Sequence, residues 1–270
     1  MSSLFRLIWK GLALGIVILI FSLHSLWKGF LTRGASQGGE LKRGRQTLIA
    51  RYSKWALKVL GIRVQEVYQT RPPSETGGRL LVCNHLSYLD VLVIASVYPA
   101  IFVTSVEVRD TLFLGQMARL AGSIFVERRD RTNVGMESAE ISQALSQGLN
   151  VVLFPEATSS NGETVLPFKR SFFGAALTAQ REVIALCMRY SRVNGRAMSP
   201  AVRDSVYYYG DLVFFPQLLA VLKNHEIVVE LRTLAVIPTT SVATRDSLCE
   251  SAYSLIQHSY SYPAYQSAEA

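Results

Sequence analysis

The stretch Asn84-His85-Leu86-Ser87-Tyr88-Leu89-Asp90 sets a histidine and an aspartate five positions apart, directly after the apolar run Leu80, Leu81 and Val82. A histidine beside a carboxylate suits general-base chemistry, because the carboxylate fixes the ring tautomer and stabilises the imidazolium that forms. Spacing alone leaves a second reading open. On a continuous helix, five positions lie about 140° apart, so the two side chains would face different ways. Ser87-Tyr88-Leu89-Asp90 also fits a capping box, with Ser87 as N-cap and the Asp90 carboxylate at N3. His85 would then sit on the turn before the helix, its ring folded back towards Asp90. The two readings are compatible, and only one is catalytic.

Two more stretches put polar residues after apolar runs. "GSIFVERRDR" carries Arg128, Arg129 and Arg131, and "LFPEATSSNG" carries Glu156 and Thr158. Strand ends are where open α/β sheets place their sites, and a guanidinium there can grip a phosphate or carboxylate in bidentate fashion. A solvated basic loop is the competing account of the arginines. Lys169 and Arg170 in "LPFKRSFF" read equally as anion contacts or as a basic helix start.

In order and spacing these stretches resemble the glycerolipid acyltransferases related to 1-acylglycerol-3-phosphate acyltransferase. "NHLSYLD" is similar to that family's first block, N-H-x-S-x-x-D. "GSIFVERR" is similar to the second, with Arg128 at its arginine, and "FPEATS" to the third, F-P-E-G-T-S. The resemblance covers roughly residues 80 to 170, with flanking elements that fit to about 235. It implies that His85 deprotonates an acceptor hydroxyl while Asp90 holds and polarises it, and that the oxygen attacks an acyl thioester without an acyl-enzyme intermediate. Arg128 and Glu156 would bind the acceptor's head group, with Thr158 shaping the loop. The donor would be acyl-CoA or acyl-carrier protein, with no metal or tightly held cofactor. The acceptor would be a lysolipid, in first place lysophosphatidate and alternatively a lyso-ornithine lipid. Two positions depart from the family pattern. Ala157 stands for the third block's glycine and should hold the backbone to ordinary φ values. Ala185, in the strand "EVIALCMRY", stands where a proline is expected.

Positioning such residues requires a sheet. Short apolar runs at 62–68, 79–83, 101–104, 123–127, 150–154, 183–188 and 226–231 read as strands. Helices fit at about 88–98, 110–121, 133–147, 168–180, 211–223 and 244–258. This alternation argues an α/β fold with a mixed, largely buried sheet flanked by helices, over residues 61–260. "YYYGD", 207–211, reads as packing and a helix cap, and His225 and His258 as surface residues. A loose tail at 261–270 follows.

Residues 1–60 differ in character. Gly11 to Trp27 carries no formal charge and sits at the lower limit for a helix crossing a hydrocarbon layer of ~30 Å. A glycine-rich linker then holds Gly34-Ala35-Ser36-Gln37-Gly38, a literal G-x-S-x-G with no strand before it, and so a chance match. Lys42 to Lys58 interleaves basic and apolar residues, as an amphipathic helix on an anionic lipid surface would. The basic excess after the apolar segment places the rest of the chain on the cytoplasmic side of a membrane. It also accounts for the net charge of +8 without nucleic acid as a partner. With 49% apolar and 18% charged residues the chain is not disordered, and three widely spaced cysteines form no disulfide framework.

Overall fold

The computed structural model describes residues 3–31, 39–71, 77–127, 134–239 and 244–261. At its centre is β2 (Leu80–Cys83), whose four residues are all fully buried, which is why its sequence runs apolar without alternation. On one side β2 pairs in parallel with β5 (Val151–Leu153), followed by β3 (Ile101–Ser105) and β4 (Ile124–Val126). On the other side it pairs in parallel with β6 (Val183–Val193). There the direction reverses: β8 (Ile227–Ile237) runs antiparallel to β6, and β1 (Ile62–Tyr68) parallel to β8. A two-residue strand, β7 (Arg196–Ala197), returns along β6 through Asn194-Gly195, both at positive φ. The sheet is mixed and largely buried, as the sequence predicts.

Two helical layers cover it. On one face lie α1 (Ser3–Leu31), α2 (Gly39–Leu60), α3 (Leu89–Val97), α5 (Leu114–Leu120) and α9 (Phe214–Lys223). The other face carries α6 (Val134–Ser146), α7 (Gly174–Ala179) and α10 (Arg245–Ser261). Single turns form α4 (Val106–Arg109) and α8 (Pro200–Arg203).

Several boundaries differ from the sequence reading. β6 runs five residues past Met188, because Arg189 and Arg192 interrupt the apolar pattern without interrupting the pairing: Arg189 stands opposite Glu230 on β8. The helix expected at 110–121 forms only from Leu114, as α5, with the separate turn α4 ending before it at Arg109; between them Thr111 accepts from the Gly115 amide at 3.1 Å and donates to Val108 O at 2.7 Å. The helix expected from 168 begins only at Gly174, because the Lys169 amide donates to Pro155 O at 2.8 Å instead of entering a helical ladder. α10 reaches Ser261, so the expected loose tail reduces to 262–270, outside the described residues.

The amphipathic helix is also corrected. Leu48, Ile49, Tyr52, Ala56, Leu57 and Leu60 of α2 are buried against α1, α3 and the sheet, so its apolar stripe faces protein and not lipid. The outward apolar face belongs to α1, where Leu4, Ile8, Trp9, Leu12, Ile16, Leu19, Leu23 and Trp27 are exposed. By length and composition α1 alone among the described residues suffices to cross a membrane.

α1 lies antiparallel along α2, and its N-terminal half is fastened by charge. Lys10 Nζ donates to Leu60 O (2.5 Å) and Asn224 O (2.8 Å), the carbonyl ends of α2 and α9, while Arg6 donates to Lys223 O at 2.9 Å. A cation at two helix C-termini meets orphan carbonyls and both macrodipoles. Lys10→Met, which keeps the stem but leaves both carbonyls unpaired, is expected to lower the unfolding free energy by about 2 kcal/mol, read as a denaturant-midpoint shift in detergent.

Candidate active site

β2 ends at Cys83, and Asn84 then turns the chain out of the sheet. Its amide clamps the neighbouring strand at one residue, Nδ2 donating to Met188 O (3.0 Å) and Oδ1 accepting from Met188 N (2.8 Å). His85 follows at the C-terminal edge of the sheet, its side chain 20% exposed, and its Nδ1 lies 2.9 Å from Asp90 Oδ2. Asp90 is fully buried. Oδ2 also accepts from the amides of Leu86 (2.7 Å) and Ser87 (3.0 Å), and Oδ1 accepts from the Tyr190 hydroxyl at 2.7 Å. With these donors around it the carboxylate acts as acceptor, which assigns the hydrogen of the contact to Nδ1 and leaves Nε2 as the ring's acceptor nitrogen. The imidazole stacks on Phe154, centroids 4.0 Å apart and planes 16° apart, which fixes its tilt.

The two readings of this stretch resolve together, with one correction. Asp90 does reach back to the Ser87 amide, as a capping box requires. But α3 begins at Leu89 with Tyr88 as N-cap, and the Ser87 hydroxyl donates to Val206 O at 2.8 Å. Ser87 therefore ties the dyad to the loop before α9, while its Oγ still accepts from the Leu89 amide at 3.4 Å at the head of the helix. The same loop is joined by Tyr208 N to Leu86 O (3.0 Å) and by the Ser159 hydroxyl to Tyr208 O, and Tyr207 packs edge-on to Tyr190. Within "YYYGD" Tyr207 and Tyr208 are packing, as read, and pack beside the dyad, whereas the expected helix cap is absent, since α9 begins at Phe214 with Val213 as N-cap.

Glu156 was expected at the acceptor's head group. It is 4% exposed, and both carboxylate oxygens are taken by backbone amides: His85 N at 2.7 Å and Leu166 N at 2.9 Å. It braces the backbone of His85 against the loop after β5. Burial lifts its carboxyl from 4.5 to about 7, against the two amides, which favour the ionised form. Thr158 and Lys169 are exposed on that loop. Arg128, Arg129 and Arg131 lie outside the described residues, as does Ser36 with its glycines.

Ala157 overturns its expectation: φ is 62°, in the left-handed region that a glycine would take without strain. The neighbours over-determine it. Ala157 N donates to Phe154 O (3.1 Å), Ser160 N to His85 O (2.9 Å), and Glu156 grips two amides. Ala185 is fully buried in the parallel ladder opposite Val82. Cys83 is no rival nucleophile, since burial pushes its thiol well above the ordinary range.

Sequence reasoning did not single out Tyr190, Asn84 or Phe154. Tyr190 sits in the part of β6 beyond Met188. Asn84, Phe154 and Tyr190 all stand inside or at the end of the motif stretches, but only packing shows that Asn84 clamps β6, Phe154 carries the ring and Tyr190 reaches Asp90.

An oriented imidazole with a free Nε2, at the C-terminal ends of a mostly parallel sheet, can take a proton from a hydroxyl. Fold and dyad together define an α/β acyltransferase. The profile of the Acyltransferase family matches residues 62–189. The lyso-ornithine lipid O-acyltransferase of Brucella abortus (strain 2308) is 35% identical over 201 residues, covering 72% of this chain and 74% of that one. The 1-acyl-sn-glycerol-3-phosphate acyltransferase of Neisseria gonorrhoeae is 33% identical over 168 residues, 62% of this chain and 65% of that one. The crystal structure of the LPA acyltransferase PlsC from Thermotoga maritima shares the fold, with TM-score 0.64 over 96% of each chain at 14% identity. The chain belongs to the glycerolipid acyltransferase family.

Two expectations follow. Between pH 4.5 and about 7 the folded protein holds the Glu156 proton more tightly than the unfolded chain, so this group's contribution to stability is largest below 4.5 and declines through 7. Thermal melting should therefore fall more steeply from pH 5 to pH 8 in the wild type than in Glu156→Gln. Ala157→Gly removes a left-handed alanine and should raise the unfolding free energy by about 0.5–1 kcal/mol, net of glycine's extra unfolded entropy, measured as a denaturant midpoint.

Proposed function

We propose that this acyltransferase esterifies the free hydroxyl of a lysolipid with the acyl group of a thioester, acyl-CoA or acyl-carrier protein, at the cytoplasmic face of a membrane. The observation that carries the reading is the His85 Nδ1–Asp90 contact of 2.9 Å, with Nε2 left as the base. His85 Nε2 takes the proton as the acceptor oxygen bonds to the thioester carbonyl carbon. The tetrahedral species collapses, the C–S bond breaks, and the thiolate takes the proton back from the imidazolium. Asp90 stabilises the imidazolium throughout. Holding two substrates against one base supplies most of what an activated thioester needs.

Lysophosphatidate is the first acceptor and gives phosphatidate. The second is a lyso-ornithine lipid, favoured by the larger share of the chain that aligns with enzymes named for it. Arg128 is the cation assigned to the phosphate or carboxylate, with Lys169 and Thr158, exposed on the loop after β5, as further contacts. α1 is assigned to the bilayer, because its outward face is apolar along its length. Phe113, Phe214, Phe215 and Tyr88 form an aromatic cluster across the starts of α5, α9 and α3, with Leu112 92% exposed next to Phe113 in the chain.

Acyl transfer by the purified protein in detergent tests this reading, with each lysolipid offered against each donor. His85→Ala is expected to lower turnover on the order of 100- to 10,000-fold, while Ser36→Ala leaves it unchanged. Loss of activity in Ser36→Ala would instead point to a hydrolase-like nucleophile. Turnover untouched in His85→Ala would refute the assigned base.

A further inference from the structure

We infer that Tyr190 is a positioning residue of the dyad: its phenol holds the far oxygen of Asp90 and so sets both the aim and the basicity of His85. This rests on the reading of His85 as base.

Four features of the fold converge on the phenol. The Asn84 clamp fixes β6 at Met188, two residues before Tyr190 and on the same face of the strand. A bulge follows at once, since Tyr190 pairs with Val229 and Arg192 with Val228, leaving Ser191 as the extra residue. Bulges of this kind re-aim side chains beside sites. The ring is enclosed and lies edge-on to Tyr207 at 5.6 Å. Burial and the nearby Asp90 raise the phenol well above its ordinary range, so it stays protonated and donates at every working pH. Packing alone would be served by phenylalanine, which fills nearly the same volume; the hydroxyl itself is spent on Asp90.

The consequence for His85 has a sign. Oδ1 gives part of its charge to the phenol, and the imidazolium draws on what remains through Oδ2. Without the phenol, Asp90 stabilises the imidazolium more strongly, so the base is protonated at a higher pH. The carboxylate also loses the Tyr190 anchor on Oδ1 and can swing about Cβ–Cγ, misdirecting the ring. The other titratable groups facing the dyad are Glu156 after β5, Cys83 at the end of β2, Tyr88 at the head of α3 and Tyr207. All of these are shared by wild type and variant, so they cancel from a comparison of the two.

The test is the pH dependence of kcat/KM for the full chain in detergent, on whichever lysolipid it acylates. Tyr190→Phe is expected to move the acidic limb up by about half a unit to one unit, with kcat down about tenfold and KM within about twofold. Ile184→Val, a packing change in the same strand, should lower the melting temperature and leave the limb in place. 3-Fluorotyrosine at 190, a stronger donor of the same shape, should move the limb down, and this readout survives if Tyr190→Phe fails to fold. A limb unmoved in both Tyr190 variants, or moved equally by Ile184→Val, overturns the role of Tyr190 while His85→Ala still abolishes turnover. Full turnover in His85→Ala overturns the reading of the base and this inference with it.

Discussion

The Asp90 carboxylate is a full charge with no exposure to water. Burying such a group costs several kcal/mol unless its lone pairs are taken by well-placed donors. Here four donors take them, from the His85 ring, the Leu86 and Ser87 amides and the Tyr190 phenol. Much of the local architecture follows from meeting that need. The two amides can both point at Oδ2 only if the chain turns sharply between β2 and α3. The phenol can arrive only if β6 overhangs the end of β2. The same geometry that makes the charge tolerable aims the imidazole, so stability and site are one arrangement at this spot.

Glu156 repeats the device on the other side of His85. Asp90 holds the ring, and Glu156 holds the peptide nitrogen that carries it, with its second oxygen on Leu166 N. The histidine is thus fixed from the side-chain and main-chain ends by two buried acids of different kind. One is ringed by four donors. The other has two and lies mostly in apolar surroundings, which is why burial lifts its carboxyl towards neutrality.

What the sequence made legible were local patterns that pointed to one answer. The apolar runs of β1, β2 and β5, and the His85–Asp90 block, were readable because periodicity and turn chemistry agree there. The end of β6 was not, since Arg189 and Arg192 look like loop residues until Glu230 is found across the strand. Nor was the brace role of Glu156: a carboxylate after a strand looks the same whether it meets substrate or backbone. α2 misled for a related reason, as a basic and apolar stripe does not say whether lipid or protein covers it. Ala157 shows the converse. A residue type restricts φ only weakly when its neighbours' hydrogen bonds dictate the turn.

The fastening of α1 has a consequence for biosynthesis. One of the two carbonyl partners of Lys10, Asn224, lies 214 residues after it in the chain. An apolar helix with a cation in its first half must therefore wait, its ammonium solvated by water or lipid head groups, until most of the chain has emerged. The joint closes late, and its closing reports that α9 and the end of the sheet have formed. A nascent chain truncated before Asn224 would carry the same helix with no fixed seat at α9, so the docking of α1 and the assembly of the sheet and α9 are coupled in time through one lysine.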